Sequence, residues 1–387
     1  MSNDEDPIGY REKERVRVSW KVRYIDYPAH YGKMRDEVLE TIDRTLAQGD
    51  VMLRQQLRDF EANFARFVGT KYAVGVSCCT DAMHLCLRAA SIGPGDEVIT
   101  VSHTFVATAA VIHHVGATPV LVDIGEDHNM DVGCVEAAIT PRTKAIMPVH
   151  LNGRGCDIGR LMSLAEDRGL LVIEDAAQAL GASHNDTKVG AFGLTGCFSF
   201  YPAKLLGAFG DGGAVVTNSQ EMAERVALLR NHGLLPDGTV SGWSFNCRLD
   251  NLQAAILDMK LRRLPIWIRR RREIARIYHD RLHDLPELHP PPPPLDEGSY
   301  FDVFQNYEIE AEGRDALRAH LTERGVETML PWGGKGIHQF PALGLTHHRL
   351  PRTERMFERV LMIPMNADLS DGDVKYVADV IRGFYGR

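Results

Sequence analysis

The chain has 387 residues, 44% of them hydrophobic and 25% charged, the balance of a soluble globular protein with enough apolar side chains for a large core, so wholesale disorder is excluded. Lys and Arg number 44 against 52 Asp and Glu, a formal net charge of −8 with His neutral. That balance argues against a general attraction to nucleic acid or to an anionic membrane, and makes small molecules or protein the expected partners.

In chain order, a polar arm runs to about residue 30, and its charged start lacks the apolar stretch of a secretion signal. From Arg35 to Phe67 the apolar residues Val38, Leu39, Ile42 and Leu46, then Leu57, Phe60, Phe64 and Phe67, recur at helical spacing and predict two helices. Short β-rich runs follow at 72–77, 96–102, 118–124, 144–151, 170–176, 197–201 and 213–218. Helix-length segments separate most of them, as in Thr80 to Ala90, Thr104 to His114 and Ile158 to Arg168. Buried strands alternating with helices predict an α/β protein with a mainly parallel sheet flanked by helices. Leu249 to Leu285 reads as long helix broken near Pro265, and the prolines at 290–294 read as an extended connector. Beyond them FDVFQNYEIE, a helix from Arg314 to Arg324 and a last helix from Asp371 to Phe384 form a smaller α/β unit. The basic cluster Arg269 to Arg272, with Arg262, Arg263 and Arg276, is expected to be a solvated or subunit-contacting helix surface. Seven scattered cysteines without paired CxxC knuckles suit reduced thiols in a cytoplasmic protein, and without HEXXH no metal site is expected.

Ligands of open α/β sheets bind past the carboxyl ends of the strands. LLVIEDAAQALGA places Glu174 and Asp175 at such an end, where one carboxylate can meet a cationic partner. FSFYPAKLLGAFGDGG places Ser199 and Lys204 after the next run, and a lysine held among apolar neighbours is a candidate for a depressed pKa and Schiff-base chemistry. Asp175 and Lys204 are one β-α step apart in this alternation, so neighbouring strand ends could bring them together. A lysine and a carboxylate are what pyridoxal phosphate requires, the one to bind it covalently and the other to keep its ring nitrogen protonated. SCCTDAMHLCL offers free backbone N–H groups at a helix start for a phosphate, with Thr80 equally readable as the N-cap. Phe105, in SHTFVATAA, could stack on a flat ring or pack in the core. Neither GxxxxGK[ST] nor a strand-linked GxGxxG occurs, so a magnesium-nucleotide site is not expected.

Taken together, TDAMHL, GPGDEVITVSHTFVATAAVI, ITPRTKAIMPVHLNG, VIEDAAQALGA, FSFYPAK, GDGGAVVTN and FNCRLDNLQAAIL resemble the DegT/StrS family of nucleotide-sugar aminotransferases, within the fold-type I pyridoxal phosphate enzymes. The resemblance runs from about Leu57 to the C-terminus. It implies an aspartate aminotransferase-like large domain at 35–250 after an arm at 1–34, connecting helices and proline linker at 251–294, and a small C-terminal domain at 295–387. It implies that Lys204 is the Schiff-base lysine and proton carrier, that Asp175 pairs with the ring nitrogen, and that Gln178, one helical turn on, reaches the phenolic oxygen. Phe105 would stack on the ring, and Thr80, Asp81 and Ser199 would hold the phosphate. Asn246 matches a position that enters the neighbouring subunit's site, which implies a homodimer.

Three departures from the family pattern are Cys79 in place of Gly, Arg54 in the arm covering the substrate, and MLPWGGKGIHQFPALG in place of a tyrosine-proline and leucine-histidine phrase. Trp332, Lys335 and His338 in that last stretch are candidates for substrate contacts. The implied activity is ping-pong transfer of an amino group, with glutamate as donor, to a keto sugar, nucleotide-linked. The alternatives are a cyclitol ketone or other non-nucleotide keto sugar, a sugar dehydratase, which in this family carries His in place of the lysine, and a non-catalytic regulatory protein.

Overall fold

In the computed structural model, which describes residues 19–387, each β-rich run becomes a strand of one seven-stranded sheet. The first 18 residues of the expected arm lie outside the described residues. The strands are β1 (Tyr72–Val76), β2 (Glu97–Val101), β3 (Thr118–Val122), β4 (Thr143–Ile146), β5 (Leu171–Asp175), β6 (Thr195–Ser199) and β7 (Gly213–Thr217), in spatial order β1-β7-β6-β5-β4-β2-β3. All run parallel except β7, which is antiparallel to both its neighbours.

Side chains alternate across this sheet, so successive residues enter different cores. Cys197 and Val215 pack with the helices Cys79–Ala89, Ala107–His114 and Gln220–Leu229. Phe198 and Val216 pack with the helices Gln55–Val68 and Asn251–Leu261 on the other face. With both faces covered, β2 and β7 are buried at every residue. Phe64 meets Phe198 and Phe200 edge-on, with ring centroids 5.3 and 5.2 Å apart, and fixes the first helical layer on the sheet.

The expected long helix is two, Asn251–Leu261 and Leu264–Leu282, with Pro265 in the first turn of the second, where its missing N–H leaves no bond unmade. The arginine cluster on this second helix is not a solvated surface throughout. Arg271 and Arg272 are buried and donate to backbone carbonyls, Arg271 to Phe304, Gln305 and Met365 and Arg272 to Asp302 and Leu295. Helical spacing alone could not show that the chain folds back over this face.

The smaller unit has an antiparallel sheet of β8 (Leu288–His289), β9 (Tyr307–Ala311) and β10 (Val360–Ile363), covered by the helices Arg314–Glu323 and Asp371–Phe384. Its core also takes Ile274, Tyr278 and Leu282 from the long helix and Val22 from the arm. The prolines at 290–294 carry neither helix nor strand. All seven cysteines are free, and no helix among the described residues is long and apolar enough to cross a membrane.

Candidate active site

β5 and β6 are adjacent and parallel, with Asp175 opposite Cys197, so the residues just past their ends share one edge of the sheet. There a cavity of about 480 Å³ brings together Asp175, Gln178, Ser199 and Lys204 with Thr80, Phe105 and Trp332. The connection between the two strands is not a β-α step. It holds a two-stranded ribbon, Ser183–His184 with Thr187–Lys188, and the stretch after Asp175 is a series of turns rather than helix. Gln178 therefore reaches the cavity from a turn and not from one helical turn on.

Glu174 and Asp175 point to opposite sides, as neighbours on a strand must. Glu174 is fully buried and accepts from the backbone N–H groups of Gly190, Phe192 and Gly193 at 2.6, 2.9 and 2.7 Å, with His150 Nε2 at 2.9 Å. Those bonds consume it in holding the stretch between the ribbon and β6. Asp175, 4% exposed, accepts from Thr108 Oγ1 at 2.8 Å and from the Ala177 N–H at 3.1 Å. Burial pushes its pKa up, against the pull of these two donors and of Lys204 and His150. Both hydrogen bonds come from neutral groups, so no cationic donor is bonded to this buried carboxylate.

Lys204 lies in a tight turn after β6, its N–H bonded to the Tyr201 carbonyl at 2.8 Å. The turn closes on itself so tightly that a Cβ on Gly207 would lie 2.4 Å from the Pro202 carbonyl oxygen, which only glycine permits. Burial lowers the pKa of the Lys204 ammonium, with Asp175 and Cys79 acting in the opposite sense. A lysine of reduced basicity near a buried carboxylate is a pair able to hold and pass a proton.

The third wall comes from β1 and the helix Cys79–Ala89. Cys78, not Thr80, is the N-cap, its Sγ accepting from the Asp81 N–H at 3.4 Å. Cys79 is the first helical residue, so no left-handed turn is asked of it. The close approach falls on β7 instead, where a Cβ on Gly213 would lie 2.4 Å from the Cys78 carbonyl carbon. Thr80 faces the cavity, whereas the Asp81 carboxylate is bonded to the Ser77 hydroxyl. Ser199 also lines the cavity, its Oγ accepting from the Tyr201 N–H at 3.3 Å.

Phe105 is 56% exposed, an unusual state for phenylalanine, and its ring lies 5.7 Å from that of Trp332. Trp332 adopts φ 51°, and its buried indole N–H has no partner. Lys335 is exposed and does not line the cavity. Neither does His338, which is buried and bonded through Nδ1 to Ser102 Oγ at 2.6 Å. Asn246 is exposed on a hairpin away from the cavity of its own chain.

Sequence reasoning passed over Thr108 and Asn306. Asn306 donates to Asn152 Oδ1 at 2.8 Å and to Gln178 Oε1 at 3.2 Å, while the Asn152 N–H donates to the same Gln178 oxygen at 2.9 Å. That orients the Gln178 amide, leaving its NH2 as the free donor. The available signals were a hydroxyl inside the apolar helix after SHTF and two successive amides in FDVFQNYEIE.

Residues 33–382 match the model of the DegT/DnrJ/EryC1/StrS aminotransferase family. The chain belongs to that family. The aminotransferase is 42% identical over 361 residues, 92% of this chain and 96% of the other, to UDP-N-acetyl-3-dehydro-alpha-D-glucosamine 3-aminotransferase of Acidithiobacillus ferrooxidans. It is 39% identical over 370 residues, 94% of this chain and 98% of the other, to a pleiotropic regulatory protein of Geobacillus stearothermophilus. It superposes with a TM-score of 0.90 and 40% identity on Streptomyces venezuelae DesV in complex with a ketimine intermediate, covering 95% of this chain and 99% of that one. Its cofactor is pyridoxal phosphate. The cavity fits that group: a buried carboxylate hydrogen-bonded only to neutral donors, a lysine of reduced basicity, an exposed aromatic face, and a hydroxyl beside a helix start.

Proposed function

We propose that the aminotransferase transfers an amino group from glutamate to a nucleotide-linked keto sugar in two half-reactions, with Lys204 as the lysine that binds the cofactor and moves the proton. The observation that carries this reading is the pairing of Lys204 and Asp175 on one cavity at adjacent strand ends. Asp175 would hold the ring nitrogen, Gln178 the phenolic oxygen through its free NH2, Phe105 the ring face, and Thr80, the Asp81 backbone and Ser199 the phosphate. When bound, pyridoxal phosphate supplies an electron sink for the substrate carbon. Lys204 Nζ would carry the proton from that carbon to the cofactor in one half-reaction and the reverse way in the other, and burial lowers the pKa of its ammonium. Trp332, whose indole N–H is unpaired, would meet the sugar, with Lys335 and His338 shaping the segment around it.

The division into an arm at 1–34, a cofactor domain at 35–250, a connector at 251–294 and a small domain at 295–387 belongs to this proposal. So does a cytoplasmic homodimer in which the partner's Asn246 completes each site. Support for the dimer comes from the hairpin beside Asn246, where Trp243 is 97% exposed and Val240 and Leu234 are exposed with it, apolar surface that a second subunit would cover. The regulatory name of one relative favours a second reading, a non-catalytic protein on this scaffold. Incubating the protein with glutamate and a panel of nucleotide-linked and free keto sugars, scored by product mass, tests both. Aminated sugar that disappears in Lys204→Ala supports the enzyme; no product from any acceptor supports the regulator.

A further inference from the structure

Gln305 is 6% exposed, lines the cavity, and directs its amide to the main chain on both sides of Lys204. Its Oε1 accepts from the Leu205 N–H at 2.9 Å, and its Nε2 donates to the Ala203 carbonyl at 2.9 Å. One planar group thus holds the peptide before the lysine and the peptide after it. Gln305 is itself held, because the buried guanidinium of Arg271 donates to the carbonyls of Phe304, Gln305 and Met365 at 3.0, 2.9 and 2.8 Å. Phe304 enters this arrangement at φ 51°, a backbone state that a bulky residue adopts only when its surroundings compel it. The segment continues directly into β9, so Gln305 joins the smaller sheet to the turn that carries Lys204.

A buried amide that merely satisfies two loop groups would be ordinary. Here the two groups flank the residue on which the chemistry depends, and the far end of the same turn is tied separately, by Gln253 to Phe209 and by Lys260 to the Gly207 carbonyl. The turn is thus tied at that end without Gln305. We infer that Gln305 is a positioning residue for Lys204, fixing the backbone on both sides so that Nζ is presented to the substrate carbon at one place. The inference rests on the reading of Lys204 as the cofactor lysine.

The test compares Gln305→Met, which keeps the volume and removes both hydrogen bonds, with Gln305→Glu, which can still accept from the Leu205 N–H but cannot donate to Ala203 when ionised. In the holoenzyme Gln305→Met is expected to lower kcat by about 10- to 100-fold, the scale of a misplaced catalytic group, with KM changed by less than about threefold. The pH midpoint of the bound cofactor's visible absorbance is expected to move by roughly half a unit or more as the surroundings of Lys204 relax, and amide exchange at Leu205 to quicken. Gln305→Glu should recover part of kcat and most of the Leu205 protection. Unchanged kcat and midpoint in Gln305→Met with faster Leu205 exchange would overturn the inference, as would Gln305→Glu behaving no better than Gln305→Met. Failure of the Lys204 reading shows separately, in the wild type, as a borohydride-fixed cofactor on some other residue.

Discussion

His128, in the loop after β3, reaches across to the smaller sheet, its Nδ1 2.8 Å from Glu308 Oε1 and its Nε2 3.0 Å from Glu310 Oε1. His103 Nε2 lies 3.5 Å from the second Glu308 oxygen. Burial works to lower the His128 pKa, but hydrogen bonds to the two carboxylates and their charges outweigh it and raise the value to about 10. The rise from 6.5 to about 10, at about 1.4 kcal/mol per pKa unit, corresponds to a linkage of roughly 5 kcal/mol. The lowered pKa of Glu308 describes the same interaction and is not added to it. Because the folded pKa is the higher one, this stability is fully present below about pH 6.5 and is lost as pH climbs through about 10. His128→Gln keeps a donor but removes the charge and leaves two carboxylates facing each other, so a loss of about 3–5 kcal/mol near pH 6.5 is expected. Urea unfolding of wild type and variant, followed by tryptophan fluorescence across about pH 6 to 10, reads the difference directly. The gap should shrink to within about 1 kcal/mol at the alkaline end. A gap that stays constant with pH would refute the charged-latch reasoning.

Asp175→Asn should weaken pyridoxal phosphate binding by about 100-fold or more, as expected when a charge-assisted bond is lost, while raising the melting temperature of the apoprotein, because burial disfavours the ionised Asp175. Cofactor titration and calorimetry read both effects; unchanged affinity with a less stable apoprotein would contradict the assignment. Glu174→Ala should cost about 3 kcal/mol or more by stranding three backbone N–H groups, yet leave the cofactor spectrum of the folded protein unchanged. A spectral shift would place Glu174 in the cofactor site. Arg271→Met should cost about 2–4 kcal/mol in denaturant unfolding, because three carbonyls lose a charged donor together; a loss under about 1 kcal/mol would mean that other donors replace it.

The large sheet was readable because its strands carry short β-rich runs, two of which, β2 and β7, are buried at every residue. The candidate site was readable wherever its residue stands at or just past a strand end in sequence, as Asp175 ends β5 and Lys204 follows β6. Its supporting residues were not. Thr108 and Asn306 matter through contacts that exist only once the helix after β2 and the segment before β9 meet at the cavity, and no local pattern encodes that meeting. The arginine cluster shows the same limit: periodicity spread Arg269 to Arg272 around a rod, but which faces become buried depended on the distant segments 295–305 and 365. Cys78 as the N-cap escaped because a thiol is a weak acceptor and Thr80, two residues on, is the commoner choice.

The central claim is that Lys204 is the residue joined to the cofactor. Borohydride reduction of the purified enzyme, digestion and peptide mass mapping tests it directly, with a built-in contrast in Lys260, a buried lysine whose pKa burial lowers to about 8. Pyridoxyl mass on the peptide carrying Lys204, and none there after Lys204→Ala, is the predicted result. Pyridoxyl mass on Lys260 or any other lysine, with Lys204 unmodified, would contradict it.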